Sequence, residues 1–168
     1  MIRSSKGFTM VEMVVVIAIL VIIGLFSYSA VTSMQFSKLI EAGHYVVNDI
    51  KFARNNAITS ADWTGVQFST ITNGYTVYTT DGVNDITMAS PFDGTSPFTV
   101  SLSSLYPGVA ITFYDISAGS KVEFDPLGVP YNDKTGTALL SSGTVRMTYG
   151  AYTINIKIDP RTGKVYIQ

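Results

Sequence analysis

The chain has 168 residues, with 11 basic and 12 acidic side chains, a mean hydropathy of +0.29 and no cysteine. With no cysteine and a single histidine, His44, it has no means to build a thiol nucleophile, a thiolate zinc site or a multi-histidine site of its own. Its fold must rest on core packing rather than on disulfides. The length suggests one domain plus an appendage. The apolar excess lies before residue 27, and the remainder is rich in Thr, Ser, Gly, Tyr and Val, a β-leaning composition. Arg3 and Lys6 fall in the first seven residues; without those seven, nine basic side chains face twelve acidic ones. That balance does not suggest a general nucleic-acid binder, which carries a basic patch or stripe.

The first element is an apolar run with a carboxylate inside it. The sequence there is Lys6-Gly7-Phe8-Thr9-Met10-Val11-Glu12-Met13, and from Met13 to Ile23 no side chain is polar. Phe8 to Phe26 spans 19 residues. As a helix that is roughly 28 Å, about the thickness of a bilayer core. An ionised group at bilayer depth costs roughly 2.5–3.5 kcal/mol and usually marks function. The basic head should stay cytoplasmic by the positive-inside tendency. Three readings fit: a secretory signal peptide cleaved near the small residues Ser27, Ser29 and Ala30, a plain membrane anchor, or a segment that uses head, carboxylate and apolar helix together.

Lys6-Gly7-Phe8-Thr9, then Glu12, then an unbroken apolar helix, resembles the class III leader of type IV pilins and pseudopilins. Met10 and Val11 stand where Leu and Ile are common in that family, and both keep the apolar character. The resemblance implies cleavage between Gly7 and Phe8 by a membrane aspartic peptidase, the prepilin peptidase. It further implies N-methylation of the new Phe8 amine, storage of the helix in the bacterial inner membrane, and assembly into a filament. Glu12 lies four residues after Phe8, about 6 Å along a helix axis on the same face. A carboxylate there suits the helix dipole. In the family, the equivalent Glu is thought to pair with the N-terminal amine of a neighbouring subunit, and a buried charge is tolerable when paired.

No proline occurs before Pro91, so nothing forces a kink in the first half of the chain. Gly24 is the one weak point. Beyond Phe26 the pattern turns amphipathic: Leu39, Gly43, Val46, Val47, Ile50, Ala53 and Ala57 recur at steps of three and four. We therefore expect a leader at 1–7, one helix at 8–60 (membrane-spanning at 8–26, amphipathic at 27–60) and a β-rich head at 61–168. The stretch from Asp49 to Ile58, with Ala53-Arg54-Asn55-Asn56-Ala57-Ile58 at its end, resembles the GspH/FimT group of minor pseudopilins and minor pilins. Read as residues alone, Ala53 and Ala57 are small so that the helix can approach a sheet.

The head alternates with period two. Strands are expected at Gly65–Thr70, Gly74–Thr80, Phe98–Leu102, Val109–Tyr114, Val122–Phe124, Thr144–Tyr149, Tyr152–Ile158 and Lys164–Ile167. Asn73-Gly74, Gly150-Ala151 and Asp159-Pro160-Arg161-Thr162-Gly163 read as turns, the last as type I. Ser90 to Ser104 reads as a loop carrying a short strand. The closing Tyr152–Val165 segment also resembles GspH/FimT proteins, so the resemblance covers the N-terminal helix and the last strands. The fold class expected is α+β: a long N-terminal helix packed on a mostly antiparallel β-sheet head, which is pilin-like.

Few residues suggest chemistry. Asp81-Gly82-Val83-Asn84-Asp85, with Asp93 nearby, offers oxygens for calcium without the EF-hand spacing, and a solvated acidic turn explains it as well. Asp125 and Asp133 flank a Pro-Gly loop and read the same way, so no metal or other cofactor is expected. His44 and Trp63 read as surface or packing residues. No phosphate loop and no nucleophile–base set can be assembled, so the chain is not expected to be an enzyme. Some FimT-type pilins bind DNA near the closing hairpin, where this chain has Arg161 and Lys164, with Lys157 and Arg146 as further cations. Four cations would grip a backbone through phosphates alone; a solvated hairpin tip explains them too. The partners expected are other pilins or pseudopilins through the N-terminal helix, the prepilin peptidase and the inner membrane, with the head in the periplasm. The function expected is a minor pseudopilin of type II secretion or a minor pilin of a type IV pilus. The alternatives are a DNA-uptake minor pilin, a major pilin, or a conventionally secreted or anchored β-domain.

Overall fold

The computed structural model describes residues 9–134 and 143–168, with side chains described in these ranges except at 25–33. The chain divides between Gln35 and Phe36 into two compact units, each taken by itself below.

The first unit is the opening of α1, which runs over Met10–Ser60. Thr9 stands just before it, and the Glu12 N–H donates to Thr9 Oγ1 at 3.2 Å. From Met10 to Gly24 every described side chain is exposed, including Val11, Ile17 and Leu20. A helix apolar all round needs a membrane or other helices to cover it. Among the described residues no helix is long and apolar enough to cross a membrane. The expected span at 8–26 extends past the described side chains at both ends.

Among the described residues the second unit holds the rest of α1 and ten strands. Leu39, Ala42, Val46, Val47, Ile50, Ala53 and Ala57 form the buried stripe of the helix. Gly43 lies on it: a Cβ there would come within 2.5 Å of Ile154 Cδ1 and 3.1 Å of Ile167 Cδ1, so the missing side chain lets the helix lie close to a sheet. The helix stops where Ala61 enters the left-handed region at φ 56°. In its last turn Thr59 Oγ1 donates back to Asn55 O and Ser60 Oγ to Asn56 O, local hydroxyl bonds that share the acceptors of the helical ladder.

All strand pairs are antiparallel. The first sheet contains β1 (Trp63–Ser69), β2 (Gly74–Thr80), β3 (Asp85–Thr87), β4 (Thr99–Ser101), β6 (Lys121–Phe124) and β7 (Pro130–Tyr131). Its order is β3-β2-β1-β6-β7, with β4 also paired to β2. The second contains β5 (Ala110–Asp115), β8 (Gly143–Tyr149), β9 (Tyr152–Ile158) and β10 (Val165–Ile167), in the order β10-β9-β8-β5. A short helix, α2 (Leu102–Leu105), follows β4. Alternation decides the faces: Val66 and Phe68 of β1, Val145 and Met147 of β8, and Ile154, Ile156 and Ile158 of β9 all point into one core with the helix stripe. Burying each such side chain is worth about 1.5–3 kcal/mol.

The fold is α+β as the sequence implies, with two sheets in the head. The segment at Phe98–Leu102 divides differently: the strand is Thr99–Ser101, and buried Leu102 opens α2. The reversal at Asp159 is one residue longer than a type I turn, because Gly163 N–H donates to Asp159 O at 2.9 Å.

Candidate functional site

Two places carry residues singled out above, and the structure adds two buried carboxylates. The first is the N-terminal motif. Gly7 and Phe8 lie outside the described residues, and Glu12 stands exposed in the first turn of α1. Thr9-Met10-Val11-Glu12 has the spacing of a capping box, a hydroxyl followed three residues later by Glu, and Thr9 Oγ1 accepts the Glu12 N–H as that motif requires. Sequence reasoning passed over this second role, although the spacing alone signals it. Glu12 therefore combines a local place in the helix cap with a charge that finds no partner cation among the described residues.

The second place is built around Arg54. Its Nε donates to Gly128 O at 3.1 Å. Gly128 (φ 78°) and Gly163 (φ 64°) press their backbones against it. A Cβ on Gly163 would come within 2.6 Å of Gly128 O and 2.8 Å of Arg54 Nε. The arginine thus ties the helix to the Asp125–Val129 loop, with the closing hairpin packed over it. Each turn is also stiffened by an aspartate. Asp125 Oδ1 accepts the N–H groups of Leu127 and Val129. Asp159 Oδ1 accepts those of Arg161 and Thr162 and the Thr162 hydroxyl. These bonds to its ionised form hold the Asp159 carboxyl below the usual range, those from Thr162 most of all. The resemblance at Ala53-Arg54 and at the closing hairpin therefore falls on one tertiary contact. Arg54→Ala should lower head stability by about 1–2 kcal/mol through the lost bond and packing, read as a lowered midpoint in urea unfolding of the detergent-solubilised full chain.

Beside Arg54, Lys51, Asn55, Thr162 and Lys164 line a cleft of about 220 Å³. Arg161 is exposed at the same hairpin. Lys157 and Arg146 are not part of this group. They share the outer face of the second sheet, where Lys157 Nζ donates to Thr144 Oγ1 at 2.7 Å and Arg146 Nε to Asn155 Oδ1 at 3.2 Å.

Two buried carboxylates lie apart from these places, each held by a tyrosine on an opposite face of β2. Asp49, on α1, is 1% exposed, and its Oδ2 accepts the Tyr75 hydroxyl at 2.6 Å. Burial pushes its carboxyl up to about 6, against the lowering effect of that bond. Glu123 on β6 is buried too; Tyr78 donates to its Oε1 and the Lys134 N–H to its Oε2, each at 2.6 Å. Burial and the carboxylate partner raise both tyrosine hydroxyls above their ordinary value.

The acidic residues offered for calcium do not converge. Asp81 Oδ1 is occupied by the N–H groups of Val83 and Asn84, and Asp85 pairs with Lys121. Asp93 lies along another cleft and accepts the N–H and hydroxyl of Thr95. Among the described residues no three acidic or histidine side chains gather as a metal site. His44 is exposed, and Trp63 packs on Tyr131 with Lys134 over its ring.

The prokaryotic N-terminal methylation motif matches residues 2–28. Two crystal structures of the type IV minor pilin FimU from Pseudomonas aeruginosa (strain PAO1) superpose on the chain. The form in space group P21 gives a TM-score of 0.53 at 13% identity, covering 79% of this chain and 89% of that one. The form in P65 gives 0.53 at 12%, covering 77% and 92%. A comparison with curated proteins returned no match. The likeness to FimU shows that the chain shares that minor pilin's fold, and the motif match shows a prokaryotic N-terminal methylation motif at residues 2–28.

Proposed function

We propose that this chain is a minor, structural subunit of a type IV filament, with no bond made or broken by its own residues. The single observation that carries the reading is the methylation motif at the head of a helix apolar on every face and joined to a pilin-like head. The chemistry that the motif announces is done on the chain by other enzymes: cleavage between Gly7 and Phe8, then methylation of the Phe8 amine. The processed helix waits in the inner membrane with the head on the periplasmic side, and lipid contacts are exchanged for helix contacts as subunits are lifted into the filament.

The FimU likeness favours a type IV pilus as the filament. A type II secretion pseudopilus is the second reading, favoured by the Ala53-Arg54 segment and closing hairpin that resemble GspH as much as FimT. Peptide mass analysis of sheared surface filaments decides between them. Peptides of this chain at a small fraction of the major subunit are the expected result. Their absence from surface filaments, with recovery in pseudopili raised by overproducing a secretion system's major pseudopilin, would replace the pilus by the secretion reading. Absence from both would overturn the filament role.

A further inference from the structure

The cleft beside Arg54 combines three cations with no acidic lining. Lys51, Arg54 and Lys164 line it together with Asn55, Thr162 and Gly163. Among the described residues none of the three forms an ion pair; the pair that does form is Lys121 with Asp85. The Asp159 carboxylate, in the same hairpin, does not line the cleft, and its Oδ1 is already taken by Arg161 and Thr162. Arg54 is fixed from below by Gly128 O, and the two glycine backbones hold its place. The positive charge is therefore presented by a rigid arginine with two longer lysines around it, in a chain whose overall charge is −1.

We propose that this cleft receives an aspartate or glutamate side chain of a neighbouring filament subunit. The proposal rests on the filament reading above. The arrangement of the charge favours one carboxylate over a polymer: the three cations converge on one cleft of about 220 Å³. A nucleic-acid backbone asks for a stripe of phosphate contacts. Here the flanking cations Arg146 and Lys157 lie on the outer face of the second sheet, bonded to Asn155 and Thr144. A carboxylate set among three cations gives a contact that fixes register, because a misplaced subunit leaves the charges unmatched. Leu127 on the adjoining loop and Ile58 on the helix are both exposed, and they give an arriving head an apolar rim.

The test uses native filaments that contain the full chain. A water-soluble carbodiimide joins a lysine Nζ directly to a carboxylate as an amide, with the carboxylate oxygen leaving on the urea by-product. Mass mapping should find Lys51 or Lys164 joined to an Asp or Glu of a different subunit. The double variant Lys51→Glu/Lys164→Glu should enter filaments at least tenfold less than the parent, with Phe8 methylation and membrane level unchanged. Lys51→Gln/Lys164→Gln guards against a folding defect, since it removes charge without reversing it and should fall in between. The proposal is overturned if other intersubunit links form while these lysines link to nothing, or if both variants enter filaments as the parent does. It is equally overturned if the purified protein retards DNA and the variants do not, which would give the cleft to nucleic acid. If the unaltered chain is missing from filaments, the filament reading itself has failed, and that result is visible before any variant is made.

Discussion

Glu12→Ala should leave the protein in the membrane, with Phe8 methylated, and lower its incorporation into filaments by a hundredfold or more. The reasoning is electrostatic. Removing one partner of a buried ion pair leaves the other charge uncompensated, at a cost of about 3–5 kcal/mol, and each 1.4 kcal/mol is about tenfold in an equilibrium. The cap geometry supplies a competing explanation that the same position can test. Thr9 and Glu12 form the spacing of a capping box, and a lost cap costs about 0.5–2 kcal/mol. Glutamine also serves at that place in the box. Glu12→Gln therefore keeps the cap and removes the charge. If pairing with a neighbouring Phe8 amine is what matters, Glu12→Gln should fail nearly as badly as Glu12→Ala. Normal incorporation of Glu12→Gln would reduce Glu12 to a helix-starting residue.

The second large effect concerns Asp49. Its carboxyl, buried on α1 against Tyr75, is pushed up to about 6 from an ordinary 3.8. The sign follows from linkage: with the folded value above the unfolded one, the folded state holds the proton more tightly. This group's stabilising contribution is fully present below about pH 4 and is lost as pH rises through 6. The head should thus become more stable between pH 7.5 and pH 4.5, by up to about 2 kcal/mol from this site. Near Asp49 stand Tyr75 on β2 and Tyr45 on its own helix, with Asp93 beyond Tyr45. The tyrosines are neutral in this range and Asp93 is negative, so no charge here opposes the trend, and the Tyr75 bond lowers the Asp49 value less than burial raises it. Asp49→Asn keeps an acceptor for the Tyr75 hydroxyl and removes the charge. It should raise the unfolding midpoint at pH 7.5 and flatten the slope. Tyr75→Phe should cost about 1.5–3 kcal/mol at pH 7.5, where a charged carboxylate loses its donor, and much less at pH 4.5. Thermal unfolding of the detergent-solubilised full chain at both pH values reads both effects; parallel pH profiles for the parent and Asp49→Asn would sink the argument.

The long elements were legible because their periodicity is strong. β2 and β9 have the bounds expected from alternation, and the helix stripe from Leu39 to Ala57 is the buried one. The misses have local causes. β3 is three residues long and exposed throughout, so it carries no alternation to read. β7 is two residues beginning with a proline, admissible only at an edge. In β5 the register slips between Ile111 and Phe113, which breaks the period of two and shifts the strand to end at Asp115. The role of Asp49 is absent from the sequence reading. Yet this residue sits three residues after Val46 and four before Ala53, spacing that places it on the buried stripe. Arg54 was legible as a family signature, but its work was not. Its partners Gly128 and Gly163 come from loops far along the chain, and only the fold brings them together.

The measurement that bears most directly on the central claim is the intact mass and N-terminal peptide of the protein recovered from native membranes. A chain beginning at Phe8 with one added methyl group is the expected result. A chain beginning near Ala30, or one that keeps Met1, would contradict the pilin-like route and leave the head as a secreted or merely anchored domain.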